Sequence, residues 1–256
     1  MRKVTTTIIL SILLSVSIYG QNEWAQIMTK DSTGNYLRGV IDNKGNVIIP
    51  TKFKYIWLDD SIFHCENDNN KLGFLSIKGD TLIPLEYNSL NFDNESRLYL
   101  AKKDYEWLYI DSLGKKMFGP YEFACHFKKG KAYVLNDDEG YFINLSGEKI
   151  ETTLFTDKNC PKGSGVEDEE EFVELDYSEK LVIIPQGFKI KKNKQGKVGV
   201  KSKKGDFIIP LIFDAIDFEN NKYIYVKKDG LQGVFDFKGK EIIPCKYHFI
   251  GSFTAF

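Results

Sequence analysis

Helix is what this sequence most clearly lacks. After residue 20 there is no tract of Ala, Leu, Glu and Lys at helical spacing, and no apolar run long enough to cross a membrane of ~30 Å as a helix. An excess of one charge is missing too: 35 Lys and Arg stand against 36 Asp and Glu, a formal net charge of −1. That balance excludes bulk electrostatic capture of nucleic acid, which needs a net basic surface. Histidine (3) and cysteine (4) are scarce. No nucleophile elbow, no metalloprotease His pair and no Gly-rich phosphate loop opening a helix is present. No catalytic residue, cofactor or metal is therefore expected.

What the chain does contain is strand-forming residues, with Val, Ile, Tyr and Phe dominating the apolar set. The N-terminus is the exception. Arg2 and Lys3 precede an apolar run from Ile8 to Ile18, then Tyr19-Gly20-Gln21 turns polar. A basic start, a short apolar core and a small residue before a polar stretch predict a secretory signal peptide over residues 1–20, cleaved after Gly20. The expectation is an exported protein, periplasmic or extracellular, with residues 21–256 as one domain and no transmembrane segment after cleavage.

A repeat organises that domain. Gly45, Gly79, Gly114, Gly147, Gly205 and Gly239 each sit in a polar, turn-like cluster, at spacings of 34, 35, 33, 58 and 34 residues. A glycine in such a turn supplies the positive φ that a tight hairpin needs. Six residues earlier stand Gly39, Gly73, Gly199 and Gly233, with Leu108 and Tyr141 in the other two copies. After the turn an apolar run ends in Pro50, Pro84, Pro210 or Pro244, and an aromatic follows three residues later (Phe53, Tyr87, Phe213, Tyr247). A further strand leads each unit, most clearly at Arg97–Asp104 and Lys222–Asp229, with Trp24–Thr29 as an equivalent. Each unit thus reads as three short strands. Alone it cannot bury both faces, so stacked neighbours must complete the core. The expected fold is all-β: six or seven three-stranded units of about 34 residues in a curved or closed, propeller-like array, with an open β-solenoid as the alternative.

These residues resemble the WG-repeat family. Gly39-Val40-Ile41-Asp42-Asn43-Lys44-Gly45-Asn46-Val47-Ile48-Ile49-Pro50 carries its pattern, as does Gly233 to Pro244. The naming tryptophan is replaced by Arg38, Leu72, Val198 and Gln232, while Trp107 holds that place in the third copy before Leu108. The resemblance implies a repetitive β protein, often exported in bacteria, with no catalytic residues to carry over.

Residues 157–198 break the period. They hold an acidic run, Glu167 to Glu171, and then Leu181-Val182-Ile183-Ile184-Pro185-Gln186-Gly187-Phe188, which reads as a degenerate seventh unit. The acidic run reads as a solvated loop rather than a calcium site. Cys65, Cys125, Cys160 and Cys245 fall at non-equivalent repeat positions, so one disulfide at most is expected, its pairing open. Each histidine lies within three residues of a cysteine, but strand neighbours point to opposite faces and chelate poorly. Candidate contact residues are the aromatics near the turns: Tyr55, Trp57, Trp107 and Tyr121. The leading reading is a non-catalytic scaffold binding a protein, a glycan or a cell-envelope component. Hydrolysis of envelope polymers and a purely structural spacer are the alternatives.

Overall fold

The computed structural model describes residues 23–59, 61–152, 160 and 184–255. The expected signal peptide, the acidic run and Leu181–Ile183 lie outside the described residues. Sheet A begins with β1 (Glu23–Lys30), β2 (Tyr36–Asp42) and β3 (Val47–Phe53). Sheet B holds β4 (Tyr55–Asp59), β5 (Ile62–Glu66), β6 (Leu72–Ser76) and β7 (Thr81–Tyr87). Sheet C follows with β8 (Ser89–Asp93), β9 (Leu98–Lys103), β10 (Glu106–Ile110) and β11 (Lys116–Tyr121). In sheet D come β12 (Phe123–Ala124), β13 (Lys131–Asn136), β14 (Glu139–Asn144) and β15 (Lys149–Thr152). Sheet E has β16 (Lys189–Lys192), β17 (Val198–Lys201) and β18 (Phe207–Phe213). Sheet F has β19 (Ala215–Glu219), β20 (Tyr223–Lys228), β21 (Leu231–Asp236) and β22 (Glu241–Tyr247). The last two strands, β23 (Phe249–Ile250) and β24 (Thr254–Ala255), return to β1. All pairings are antiparallel, and sheets B, C, D and F each have four strands.

The unit therefore has four strands rather than the three expected. The added strand begins two residues after the buried aromatic, as β4 does after Phe53 and β19 after Phe213, and it opens the next sheet. Of the expected seventh unit, Ile184 to Phe188 are described. Pro185 and Phe188 do not form a proline strand. The Phe188 amide donates to the Pro185 carbonyl in a turn that leads into β16, the strand preceding the glycine strand of sheet E.

The register explains why glycine, proline and aromatic recur together. In sheet A, Arg38 faces Phe53 and Val40 faces Ile49. One residue on β2 is spanned by three on β3, so the Pro50 segment bulges out of the ladder. Proline, which has no amide to donate, is tolerated there. Sheets B, E and F repeat this shift at Pro84, Pro210 and Pro244. The bulge crosses directly over the strand glycine. A Cβ at Gly73 would stand 2.7 Å from the Ile83 carbonyl oxygen, and one at Gly233 would stand 2.8 Å from that of Ile243. After the bulge the aromatic rejoins the ladder with its ring buried, as for Phe53, Tyr87, Phe213 and Tyr247.

The turn glycines have the positive φ predicted, +86° at Gly79 for example. Each turn is organised by the residue three before the glycine. Asp42 Oδ1 accepts from the amides of Lys44 and Asn46, and Asp111 and Asp236 do the same in sheets C and F. Lack of a Cβ also lets the turns of sheets A, B, C, D and F press on a neighbour. Gly79 of sheet B lies on Ile48 of sheet A, Gly147 of sheet D on Phe118 of sheet C, and Gly239 of sheet F on Ile208 of sheet E.

The core lies between sheets. Val40, Ile49 and Phe53 of sheet A pack with Ile56, Phe63 and Cys65 of sheet B. Similar clusters join B to C, C to D, E to F, and F to A. Polar ties reinforce two of these joints. Asp93, 2% exposed, accepts from the amides of Ser96 and Phe127 and contacts His126 Nδ1 at 3.0 Å, fastening C to D. Glu23 of β1 accepts from Lys222 and from the Tyr223 hydroxyl, fastening A to F. A disulfide joins Cys125 to Cys160, with a Cα–Cα distance of 5.3 Å, and settles the pairing left open by spacing. Cys65 and Cys245 are free.

Candidate functional site

Four aromatics were expected at contact positions, and the structure divides them between two sheets. Tyr55 and Trp57 lie on β4, the opening strand of sheet B, at 38% and 47% exposure. Residues 55 and 57 share one side of that strand because side chains alternate. Arg38 stacks over the Tyr55 ring at 5.0 Å. Trp107 and Tyr121 are register partners in sheet C. Lys102 covers the half-buried Trp107 ring at 5.4 Å.

Tyr121 is not a contact residue. It is 8% exposed and packs in the core between C and D. Its ladder position, opposite Trp107, is the one Phe53 occupies opposite Arg38 and Tyr87 opposite Leu72. It is the repeat's buried aromatic, shifted by a shorter bulge. With Leu108 in place of the strand glycine, Gly119 on the partner strand provides the close approach: a Cβ there would stand 2.8 Å from the Trp107 carbonyl oxygen.

Around Trp57 the structure assembles an aromatic ladder that sequence reasoning missed. The register places Trp57, His64 and Phe74 in one row across sheet B. Phe92 and Tyr99 form a matching row in sheet C. Trp57 stacks on His64, with centroids 5.1 Å apart and planes at 28°. His64 lies 4.2 Å from Phe74, and Phe74 meets Tyr99 edge-on at 5.1 Å across the gap between sheets. Tyr99 in turn meets Phe92 at 5.2 Å. The middle of the ladder is core, while its ends, Trp57 and the 39%-exposed Phe92, reach solvent. Arg97 lies over the Phe92 ring at 5.3 Å. A period-2 reading of both opening strands against their partners would have revealed the two rows.

Electrostatics keep this surface apolar. Burial pushes the His64 imidazole below its ordinary 6.5, and Asp59 at 4.0 Å counters only in part. His64 is thus neutral at pH 7 and acts as a flat spacer between two rings. Beside it in β5, burial pushes the Cys65 thiol up to about 12, so that Cys65 packs as an apolar group. The other two histidines have different partners: His126 has Asp93, and His248 Nδ1 accepts from the Lys30 amide.

This geometry places the molecule among β-repeat proteins. The family model described as WG containing repeat matches residues 39–58, 199–231 and 233–255, so these segments, which lie in sheets A, B, E and F, are similar to WG repeats. No curated protein matches the chain. Among solved structures, it is similar to BamB from Moraxella catarrhalis (11% identity, TM-score 0.26, covering 84% of this chain and 71% of that one). It is also similar to the WD40 β-propeller domain of Doa1 (12%, 0.25, 90% and 78%) and to the computationally designed Ika8 protein (12%, 0.26, 82% and 70%).

Proposed function

We propose that this chain is an exported, non-catalytic binding scaffold, a curved and propeller-like array that presents the Trp57–Phe92 surface to a protein, a glycan or a cell-envelope component. The observation that carries this reading is the ladder itself. Two large rings from different sheets reach solvent, and their orientation is set by packed rings behind them. Preorganised aromatic area of this kind costs little ordering on binding.

Three further features support the reading. Pairing of β23 with β1 puts both ends of the described chain into sheet A, which suits a curved array better than a linear solenoid. The Cys125–Cys160 disulfide and the apolar segment at residues 8–18 suit export. Among the described residues, the carboxylates whose acidity departs from the ordinary (Glu23, Asp31, Asp93, Asp104, Glu139 and Asp214) are held low, whereas the general acid of a polymer hydrolase must be held high.

A pull-down from envelope and culture-supernatant extracts with residues 21–256 tests the proposal. A partner retained by the parent and lost with the Trp57→Ala/Phe92→Ala variant is expected. Capture that is indifferent to that double change would remove this surface from the account.

A further inference from the structure

We propose a second binding site, independent of the aromatic ladder: the cavity between the opening strands of sheets F and A takes a primary amine or guanidinium, such as one basic side chain of a peptide. The cavity has a volume of about 360 Å³, enough for one such side chain. One wall is Asp217 and Glu219 of β19 with Tyr225 of β20, and the facing wall is Phe249, Gly251 and Ser252.

The wall from sheet F is built by register. Asp217 and Glu219 alternate with Ile216 and Phe218, so both carboxylates lie on one side of β19, and Tyr225 lies opposite Asp217 on that same side. Ile216 points the other way, into the core shared with sheet E. Two carboxylates thus face the chain's returning C-terminal strand, with the Tyr225 and Phe249 rings beside them. A cation held by carboxylates against aromatic rings combines charge-assisted hydrogen bonds with cation–π attraction.

The cavity is held open by fixed contacts. The Tyr225 hydroxyl donates to the Gly251 carbonyl at 3.0 Å, and the Gln232 side chain accepts from the Ile250 amide at 2.8 Å. Burial, with Glu219 adding to it, raises the Tyr225 hydroxyl well above its ordinary range, so it stays a neutral donor. Lys227 also lines the cavity, but it lies opposite Ala215, whereas Glu219 lies opposite Tyr223 four residues further along β19. That is roughly 13 Å at strand spacing. Lys227 therefore leaves the Glu219 end negative, whereas Asp217 is its same-side neighbour and also accepts from the Phe218 amide, so Glu219 is the principal carboxylate for the cation.

Calorimetric titration of residues 21–256 tests the site, with Nα-acetyl-arginine amide and Nα-acetyl-lysine amide as probes and the neutral Nα-acetyl-citrulline amide as control. The cationic probes are expected to bind at least about tenfold more tightly than the control, which is the weight of one charge-assisted contact. Glu219→Gln should weaken the arginine probe by a similar factor, and Asp217→Asn by less. Because the ligand would bridge two sheets, saturating probe should also raise the Tm. Equal binding of the citrulline probe, or no heat with millimolar arginine probe, overturns the proposal. If a variant does not fold, the charged-against-neutral comparison on the parent protein decides.

Discussion

Gly73 shows how much of this structure rests on single atoms that are absent. Its φ is ordinary, so a strand propensity scale predicts that alanine would stabilise it by roughly 0.5–1 kcal/mol. The bulged backbone of Ile83 to Leu85 occupies the space a Cβ would need. Gly73→Ala is therefore expected to destabilise by about 1–3 kcal/mol, with a lower urea midpoint. An unchanged or raised midpoint would mean that the bulge does not sit where the register puts it. His64 makes a second residue-scale prediction. Its folded pKa lies below its unfolded 6.5, so its contribution to stability is present above that value and is lost as pH falls through it. Urea midpoints measured at pH 7.5 and 5.0 should therefore fall less in His64→Gln than in the parent. Equal falls would show that the imidazole titrates as it does in the unfolded chain.

At the scale of elements, the repeat pattern revealed some strands and hid others. Glycine, proline and aromatic recur because one local event, a bulge over a bare Cα, needs all three. The leading strands read from the sequence at Trp24–Thr29, Arg97–Asp104 and Lys222–Asp229 are present, within a residue at each end, as β1, β9 and β20. The opening strands were hidden because only their final Asp is identical between Tyr55-Ile56-Trp57-Leu58-Asp59 and Ser89-Leu90-Asn91-Phe92-Asp93, and even that is lost in Ala215–Glu219. Their shared property is position, directly after the buried aromatic. Of the candidate site, Trp57 was legible as an aromatic near a turn, but its row with His64 and Phe74 and the matching Phe92 were not, because they need the register of those strands; Tyr121 was misplaced because its bulge is one residue shorter. The disulfide of sheet D gives the prediction at this scale. Without reductant, the unfolded protein should expose two thiols of its four cysteines, Cys65 and Cys245, and with reductant four. Cys125→Ser should cost about 2–4 kcal/mol, as expected for closing a loop of this size. A count of four thiols without reductant would show that the pair is not oxidised.

Across the described residues, sheets E, F, A, B, C and D pack in that order, the turn glycines of A, B, C, D and F resting on the neighbouring sheet, and the series runs through the chain's two ends. Sheet A is shared: β1 pairs with β2 on one side and with β23 on the other. Glu23 adds an electrostatic tie at this seam. Burial pushes its carboxyl up, but hydrogen bonds from Lys222, Tyr223 and Asn43 outweigh it and hold the group below its ordinary 4.5. The tie is present above that pH and is lost as pH falls below it, so the seam should weaken in acid.

Shared ownership of sheet A is the claim on which the curved array and the proposed cavity site both depend, because it joins the chain's two ends and forms one wall of the cavity. Met28 and Phe249 face each other across the seam. A Met28→Cys/Phe249→Cys pair, made with Cys65→Ala and Cys245→Ala and oxidised at low micromolar concentration, tests it directly by non-reducing peptide mass mapping. The account predicts an intramolecular 28–249 disulfide in a monomer; recovery of only free thiols, or only of bonds between molecules, would contradict it.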